Sequence, residues 1–301
     1  MYDICCVGHI TLDKVVTTKG VARMPGGTSF YFSNAICNMD LNYLLITILA
    51  KPELHFVSDL RVKGIKVNIA ALSPHTVFFE NNYTEDLDHR TQQVLQLSDP
   101  FTVDQLIETD AKIFHLGPLL ADDIPVDVIK TLSKKAKVSL DVQGYLRKVE
   151  NKKVYAIDWP EKRRALQCVH TLKANEFEME SLTGSNDVRR AAKILFDWGV
   201  KEIVITLGKH GSVIYDGVHF YDIPAYIPTS DVVDATGCGD TYMAGYLYQR
   251  IKGAGFQQAG EFAAAMATVK IESYGPFMGT EKQVLNLLSD SKRRVFSNYA
   301  M

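Results

Sequence analysis

Short apolar runs alternate with helix-period segments along almost the whole chain of 301 residues, and this alternation constrains the fold more than any other feature. Asp3–Ile10, Tyr43–Ala50, Val67–Leu72, Lys112–Leu116, Val138–Val142, Thr171–Ala174 and Ile203–Thr206 read as buried strands. Ser29–Met39, Glu53–Lys63, Val126–Ala136, Glu176–Leu182 and Asp187–Trp198 read as helices, with Gly64 and Gly199 closing two of them. Strands alternating with helices imply a mainly parallel central sheet covered on both faces, a three-layer α/β/α domain. Such sheets bind ligands at the carboxyl ends of their strands.

One region breaks the rhythm. Thr76–Asn82 and His89–Leu97 flank a polar turn, Thr84–Asp88, and with Lys14–Thr18 they can form a small separate sheet. A lid drawn from residues 13–25 and 76–97 is the expectation, with an extension of the central sheet's edge as the alternative. No repeat, low-complexity tract or Pro/Ser linker splits the chain, so residues 1–301 read as one domain.

Composition excludes several partners. Lys and Arg number 33 against 35 Asp and Glu, so no basic face is forced, and neither nucleic acid nor an anionic membrane is expected. No window reaches the run of about 18 apolar residues that a membrane span needs. The opening MYDICCVGHI enters a strand without a secretory leader. The five cysteines are scattered and form no CxxC pair, which suits free thiols in a reducing cytoplasm.

The stretch VVDATGCGDTYMAG, Val232–Gly245, carries the chemistry. Val232 and Val233 can end a strand. A helix is expected from Asp240, with Met243, Leu247 and Ile251 on one face. Gly237 and Gly239 stand just before its first turn. The first amides of a helix lack internal partners, and the macrodipole adds positive character there. Glycine lets oxygens approach the backbone, so the place is an anion cradle suited to phosphate. It is not a Walker A loop, since Gly208-Lys209 has Ile203 where the first glycine belongs. It is not a dinucleotide fingerprint either, since Tyr242 replaces the third glycine. A carboxylate inside an anion cradle makes sense if Asp240 takes a proton from an alcohol while the cradle holds the phosphoryl group. The plain alternative is that Asp240 caps the helix.

This string resembles the D-T-x-G-x-G-D signature of the PfkB, or ribokinase-like, carbohydrate kinases, with Ala235 and Cys238 as small replacements. Further landmarks follow in that family's order. Gly8–Asp13 resembles its first strand with a sugar-binding aspartate, and Pro25-Gly26-Gly27 its double glycine. Asn175–Glu178 resembles the N-x-x-E motif, and Thr206–Gly211 the T-x-G-x-x-G turn beside the nucleotide.

The resemblance implies a ribokinase-like fold and an ATP-dependent kinase of a sugar or polyol, with Mg2+ held through water by Glu178. It implies Asp240 as base and an anion hole from the amides of Gly237, Cys238, Gly239 and Asp240. It places Asn175, Glu178, Thr206, Gly208, Gly211 and Thr236 on the nucleotide side, and Asp234 near a monovalent cation in relatives that use K+. The alanine-rich helix Phe262–Ser273 would flank the adenine.

The acceptor side departs from the family's pattern. Tyr31 stands where many sugar kinases carry an asparagine, and Asn34 follows one turn later. Ala50–Glu53 lacks the usual G-x-D element. Gly26–Asn34 and Asp141–Arg147 look more like myo-inositol kinases of plants, which implies a cyclitol or other polyol. Asp13, Gly26, Gly27, Asn34, Gln143 and Arg147 are the expected acceptor contacts. Rival readings are an inactive nucleotide- or polyol-binding regulator, a nucleoside kinase, and a dinucleotide oxidoreductase. Exposed lid strands would also let two copies pair as a homodimer.

Overall fold

The computed structural model describes residues 1–17, 20–83 and 90–298. Thr18, the turn Thr84–Asp88 and His89 of the expected lid lie outside the described residues.

In chain order the strands begin with β1 (Tyr2–Val7), β2 (Thr11–Thr17), β3 (Gly20–Gly26), β4 (Tyr43–Leu49) and β5 (Lys66–Leu72). There follow β6 (Phe78–Tyr83), β7 (Arg90–Gln96), β8 (Ala111–Leu116), β9 (Lys137–Asp141) and β10 (Arg147–Glu150). The last are β11 (Lys153–Ala156), β12 (Thr171–Asn175), β13 (Glu202–Thr206), β14 (Ser212–Tyr215) and β15 (Phe220–Ile223). The helices are α1 (Thr28–Ile36), α2 (Leu54–Val62), α3 (Val126–Ser133), α4 (Lys162–Leu166) and α5 (Glu176–Thr183). They continue as α6 (Val188–Asp197), α7 (Cys238–Ile251), α8 (Phe256–Ile271) and α9 (Glu281–Asn298).

Nine strands form the central sheet in the order β15-β14-β13-β12-β9-β8-β1-β4-β5. It is parallel from β13 to β5, and β14 and β15 add an antiparallel edge. β1 and β4 are buried almost throughout, as a strand with both faces covered must be. One core packs α3, α4, α5 and α6 residues such as Ile129, Leu166, Met179 and Leu195 against Val7 and Leu172. The other packs α1, α7 and α8 residues such as Phe32, Tyr246 and Phe262 against Cys6 and Val204. The architecture is the three-layer α/β/α expected.

A second sheet has six strands in the order β10-β11-β7-β6-β2-β3. It takes in the expected segments and adds β10 and β11, whose charged alternation (RKVE, KVYA) gives little apolar signal. Its own small core joins Phe79 and Val94 to Leu119 and Leu120. Val232 and Val233 form no strand. They belong to an irregular segment, where Val233 N donates to Ile271 O of α8 at 2.8 Å. Two β-branched residues suggested a strand, but no neighbouring strand is there to pair with them. Among the described residues no helix is long and apolar enough to cross a membrane.

Candidate active site

The order of the central sheet reverses at β1, whose neighbours β4 and β8 lead outward in opposite directions. Such a switch point opens a crevice at the carboxyl ends of the strands. Gly8 and Gly117, just beyond β1 and β8, face each other so closely that a Cβ on Gly8 would stand 2.8 Å from the Gly117 oxygen. Thr28 opens α1 directly over this crossing, and a Cβ on Gly117 would meet its Cγ2 at 2.4 Å. Gly27 precedes it with φ 87, a left-handed turn that favours glycine. Gly26 lies against Asp13, whose Oδ2 would be 2.3 Å from an added Cβ. Thr11 Oγ1 donates to Asp13 Oδ1 at 2.6 Å and fixes that carboxylate. Asp13, Gly26 and Gly27 thus reach the crevice together with Thr28.

α7 forms the opposite wall. It starts at Cys238, two residues earlier than expected, with Gly237 as its cap at φ 76 and no side-chain capping bond. Asp240 is therefore the third helical residue and is not the cap. The Gly237 φ and the Tyr31 ring, 2.2 Å from where a Cβ would be, both demand glycine there. Its lack of a side chain serves the protein's own packing before any ligand's approach. Cys238 N donates to Ala235 O at 3.2 Å, so this amide is spent inside the loop. Among the described residues the amides of Gly237, Gly239 and Asp240 find no acceptor, which leaves three of the four expected donors for an anion.

Asp240 is surrounded by other charges. Burial is the main cause that raises its pKa to about 7, and the Asp141 carboxylate adds to it. Lys173 and the Thr28 hydroxyl pull the other way. Lys173 Nζ is buried, 2.9 Å from Asp141 Oδ2 and 3.8 Å from Glu178 Oε2. A Cβ on Gly239 would be 3.2 Å from it. Burial lowers the Lys173 pKa, but Asp141, Glu178 and Asp240 outweigh this and hold the ammonium firmly charged. Gln143 Nε2 donates to Thr28 Oγ1 at 3.0 Å, so the 3-10 turn Val142–Leu146 is tied to α1.

Asn175 and Glu178 form a reciprocal cap at the start of α5. Asn175 Oδ1 accepts from Glu178 N and Glu178 Oε2 from Asn175 N, both at 2.8 Å. Register pairs Asn175 with Thr206 on β13, so the expected nucleotide-side residues line adjacent strand ends. Gly208 and Gly211 bend the β13–β14 connection with φ 55 and 87, and a Cβ on Gly211 would strike Ile223 O at 2.0 Å. Thr236 N donates to Asp234 Oδ1 at 2.9 Å.

Two expected contacts stand differently, those of Asn34 and Asp234. Asn34 is fully buried; its Nδ2 donates to Phe30 O at 2.8 Å and its Oδ1 accepts from Lys63 Nζ at 2.6 Å. It faces helix packing and offers nothing to the acceptor. Arg147 begins β10 of the second sheet, where Ala121 N donates to its carbonyl. The oxygens of Asp234 are already taken by Lys270, whose Nζ donates to Asp234 O at 2.6 Å and to Oδ2 at 3.2 Å.

A family model described as pfkB family carbohydrate kinase matches residues 67–282. The chain belongs to that family.

As a pfkB-family kinase it is similar over nearly its whole length to characterised relatives. A cytidine kinase of Thermococcus kodakarensis is 26% identical over 286 residues, 91% of this chain and 98% of that protein. A solved pyrophosphate-dependent kinase in the ribokinase family, complexed with a pyrophosphate analog and myo-inositol, is 29% identical. It superposes with a TM-score of 0.84 over 94% of this chain and 99% of that one. Arabidopsis thaliana ribokinase with ribose and ATP shares the fold, with a TM-score of 0.76 at 21% identity over 95% and 98% of the two chains. The protein is accordingly a sugar or nucleoside kinase of the ribokinase family.

For this pfkB kinase, sequence reasoning missed Thr28, Lys173 and Lys270. Thr28 follows the double glycine, and a helix-opening threonine reads as ordinary capping chemistry. Lys173 stands inside the apolar run TLKAN, and Lys270 inside the alanine-rich VKI of α8. A lysine in an otherwise buried run is the signal that was there to find, because buried lysines are almost always paired.

Proposed function

We propose that the chain phosphorylates a hydroxyl of a cyclitol, with myo-inositol the first candidate, in the crevice between Asp13 and Asp240. The observation that carries this reading is Asp240 on the first turn of α7, poised near pH 7 beside the free amides of Gly237, Gly239 and its own. A carboxylate tuned to neutrality can accept the alcohol proton, and fixed amides balance charge on the moving phosphoryl group. Asp13, braced by Thr11, would orient the acceptor from the far side, and Gln143 would hold Thr28 in place. The two stretches that look like those of myo-inositol kinases meet through this Gln143–Thr28 bond, and the pyrophosphate-dependent neighbour was solved with myo-inositol.

The phosphoryl donor is ATP in this reading, bound along Asn175, Thr206, Gly208, Gly211 and Thr236. Mg2+ arriving with the donor phosphates would neutralise their oxygens, and Glu178 suits its water shell because only its Oε2 is bonded among the described residues. Among the described residues no cluster of three His, Cys, Asp or Glu side chains forms a metal cage. A second reading has pyrophosphate as donor; the resemblance to the pyrophosphate-dependent neighbour favours it. The second sheet would then serve as a lid over the acceptor.

The test is a product assay with ATP or pyrophosphate, Mg2+ and a panel of cyclitols, pentoses, hexoses and nucleosides. Acceptor-dependent release of ADP or phosphate with a cyclitol, and a phosphomonoester seen by 31P NMR, is expected. Turnover confined to cytidine or ribose removes the cyclitol reading. Ligand binding with no turnover for any pair favours the inactive regulator.

A further inference from the structure

Lys270 is the one lysine in α8 that the core swallows whole, with no solvent exposure. A lone ammonium is costly to bury, so the groups that receive it define what the place is for. Two of them belong to one residue. Lys270 Nζ donates to the carbonyl oxygen of Asp234 at 2.6 Å and to its Oδ2 at 3.2 Å. Gly275 N also donates to Oδ2, at 3.3 Å, and Thr236 N to Oδ1. A carbonyl and a carboxylate converging on one positive centre is the oxygen chemistry that holds a bare alkali cation. Asp234 was expected to serve such a cation. The residues do not fit one, because an ammonium already stands at both oxygens.

The position of this ion pair gives it consequence. Asp234 begins the segment that runs through Ala235 and Thr236 into the Gly237 cap of α7. Its Oδ1 fixes the Thr236 amide, and Ala235 O takes the Cys238 amide. The main chain between these bonds sets where the free amides of Gly237, Gly239 and Asp240 point. At its other end the segment is laced to α8, through Val233 N and Asp234 N to Ile271 O. A cation at Asp234 thus braces the anion hole from behind.

We infer that Lys270 is a built-in replacement for a monovalent cation, a positioning residue that makes this kinase independent of K+. The inference concerns the loop behind the anion hole and does not depend on which acceptor or donor is used.

The experiment compares wild type and Lys270→Ala in buffers of equal ionic strength whose cation is tetramethylammonium, Na+, K+, NH4+ or methylammonium. Thermal melting is the first readout, since it needs no substrate. Wild type is expected to melt at the same temperature in K+ as in tetramethylammonium. Lys270→Ala is expected to melt several degrees lower and to recover in K+, NH4+ or methylammonium, which fit the vacated oxygens. The second readout is turnover of any acceptor that the product assay identifies. Wild-type kcat should change less than about twofold with K+, whereas Lys270→Ala should lose about tenfold or more and regain it with the same cations, at little change in acceptor KM. Specific stabilisation or activation of wild type by K+ overturns the inference. So does a Lys270→Ala protein that no small cation rescues, since a purely structural pair gives loss without recovery. Should Lys270→Ala not fold, Lys270→Met replaces it, and the wild-type comparison decides on its own. Absence of turnover with every acceptor would defeat the proposed function while leaving the melting comparison intact.

Discussion

Lys173 and Asp141 form a buried ion pair, Nζ to Oδ2 2.9 Å, beside the carboxylate of Asp240. One ammonium faces three carboxylates there, those of Asp141, Glu178 and Asp240. Burial, and after it the Asp141 carboxylate, raise the Asp240 pKa to about 7, while Lys173 prevents it from climbing further.

Removing that ammonium should be costly. Lys173→Met leaves Asp141 buried and unpaired, and breaking such a pair costs about 3–5 kcal/mol. Denaturant unfolding should show this loss, and Lys173→Met with Asp141→Asn together should recover part of it. In whatever fraction folds, the acid limb of the rate profile should move to higher pH, because the charge that held Asp240 down is gone.

The pH dependence of turnover has a fixed sign. In the proposed reaction Asp240 must be ionised to accept the alcohol proton, so kcat/KM should rise with pH through about 7 and then level. Asp240→Asn should lower turnover by roughly two to four orders of magnitude and abolish that limb, with circular dichroism unchanged. A profile flat from pH 5 to about 9 would remove Asp240 as the base.

Stability should move the opposite way. The Asp240 pKa rises from the ordinary 3.8 to about 7 on folding, so the folded state prefers the protonated acid. This contribution is complete below the unfolded value and is lost as pH rises through about 7. Asp240→Asn should therefore raise the melting temperature at pH 8, by on the order of 2 kcal/mol of stability once partial solvent screening is allowed for, with the difference fading towards pH 4.

Gly237→Ala tests the cap of α7. Its left-handed φ of 76 costs a Cβ about 1 kcal/mol, and the Tyr31 ring leaves no room for one. Turnover and stability should both fall. Adding Tyr31→Ala should return some of the stability, and the double-mutant cycle measures the coupling.

Asn175 and Glu178 can be separated. Asn175→Ala should cost about 1 kcal/mol of stability through the lost cap. Glu178→Gln keeps an oxygen that can accept from Asn175 N, so stability should hold better while the Mg2+ concentration needed for half-maximal rate increases.

The layers of the fold were legible because most central strands, β1 and β4 above all, are covered on both faces and read as apolar runs. Val232 and Val233 misled for the same reason in reverse, being β-branched with no sheet to join. β10 and β11 were hidden by their charges, since a small two-faced sheet has little core to advertise. At the site, residues tied to glycine geometry, Gly26, Gly27 and Gly237, could be read locally. Asn34 could not, because its spacing on α1 says only which turn it occupies, and Lys63, just past the end of α2, decides where its side chain goes. Lys173 and Lys270 acquire meaning only from carboxylates distant in the chain, Asp141 and Asp234.

Gly27 alone separates β3 from α1. On one side stands a strand of the small outer sheet, and on the other a helix buried along its length. A tilt of the outer sheet relative to the main body would pass through this joint among others, with Asp13 against the adjoining Gly26 and Thr28, whose side chain bonds Asp240, on its far side. In the proposed reaction, holding the alcohol and aligning its proton acceptor would share this pivot.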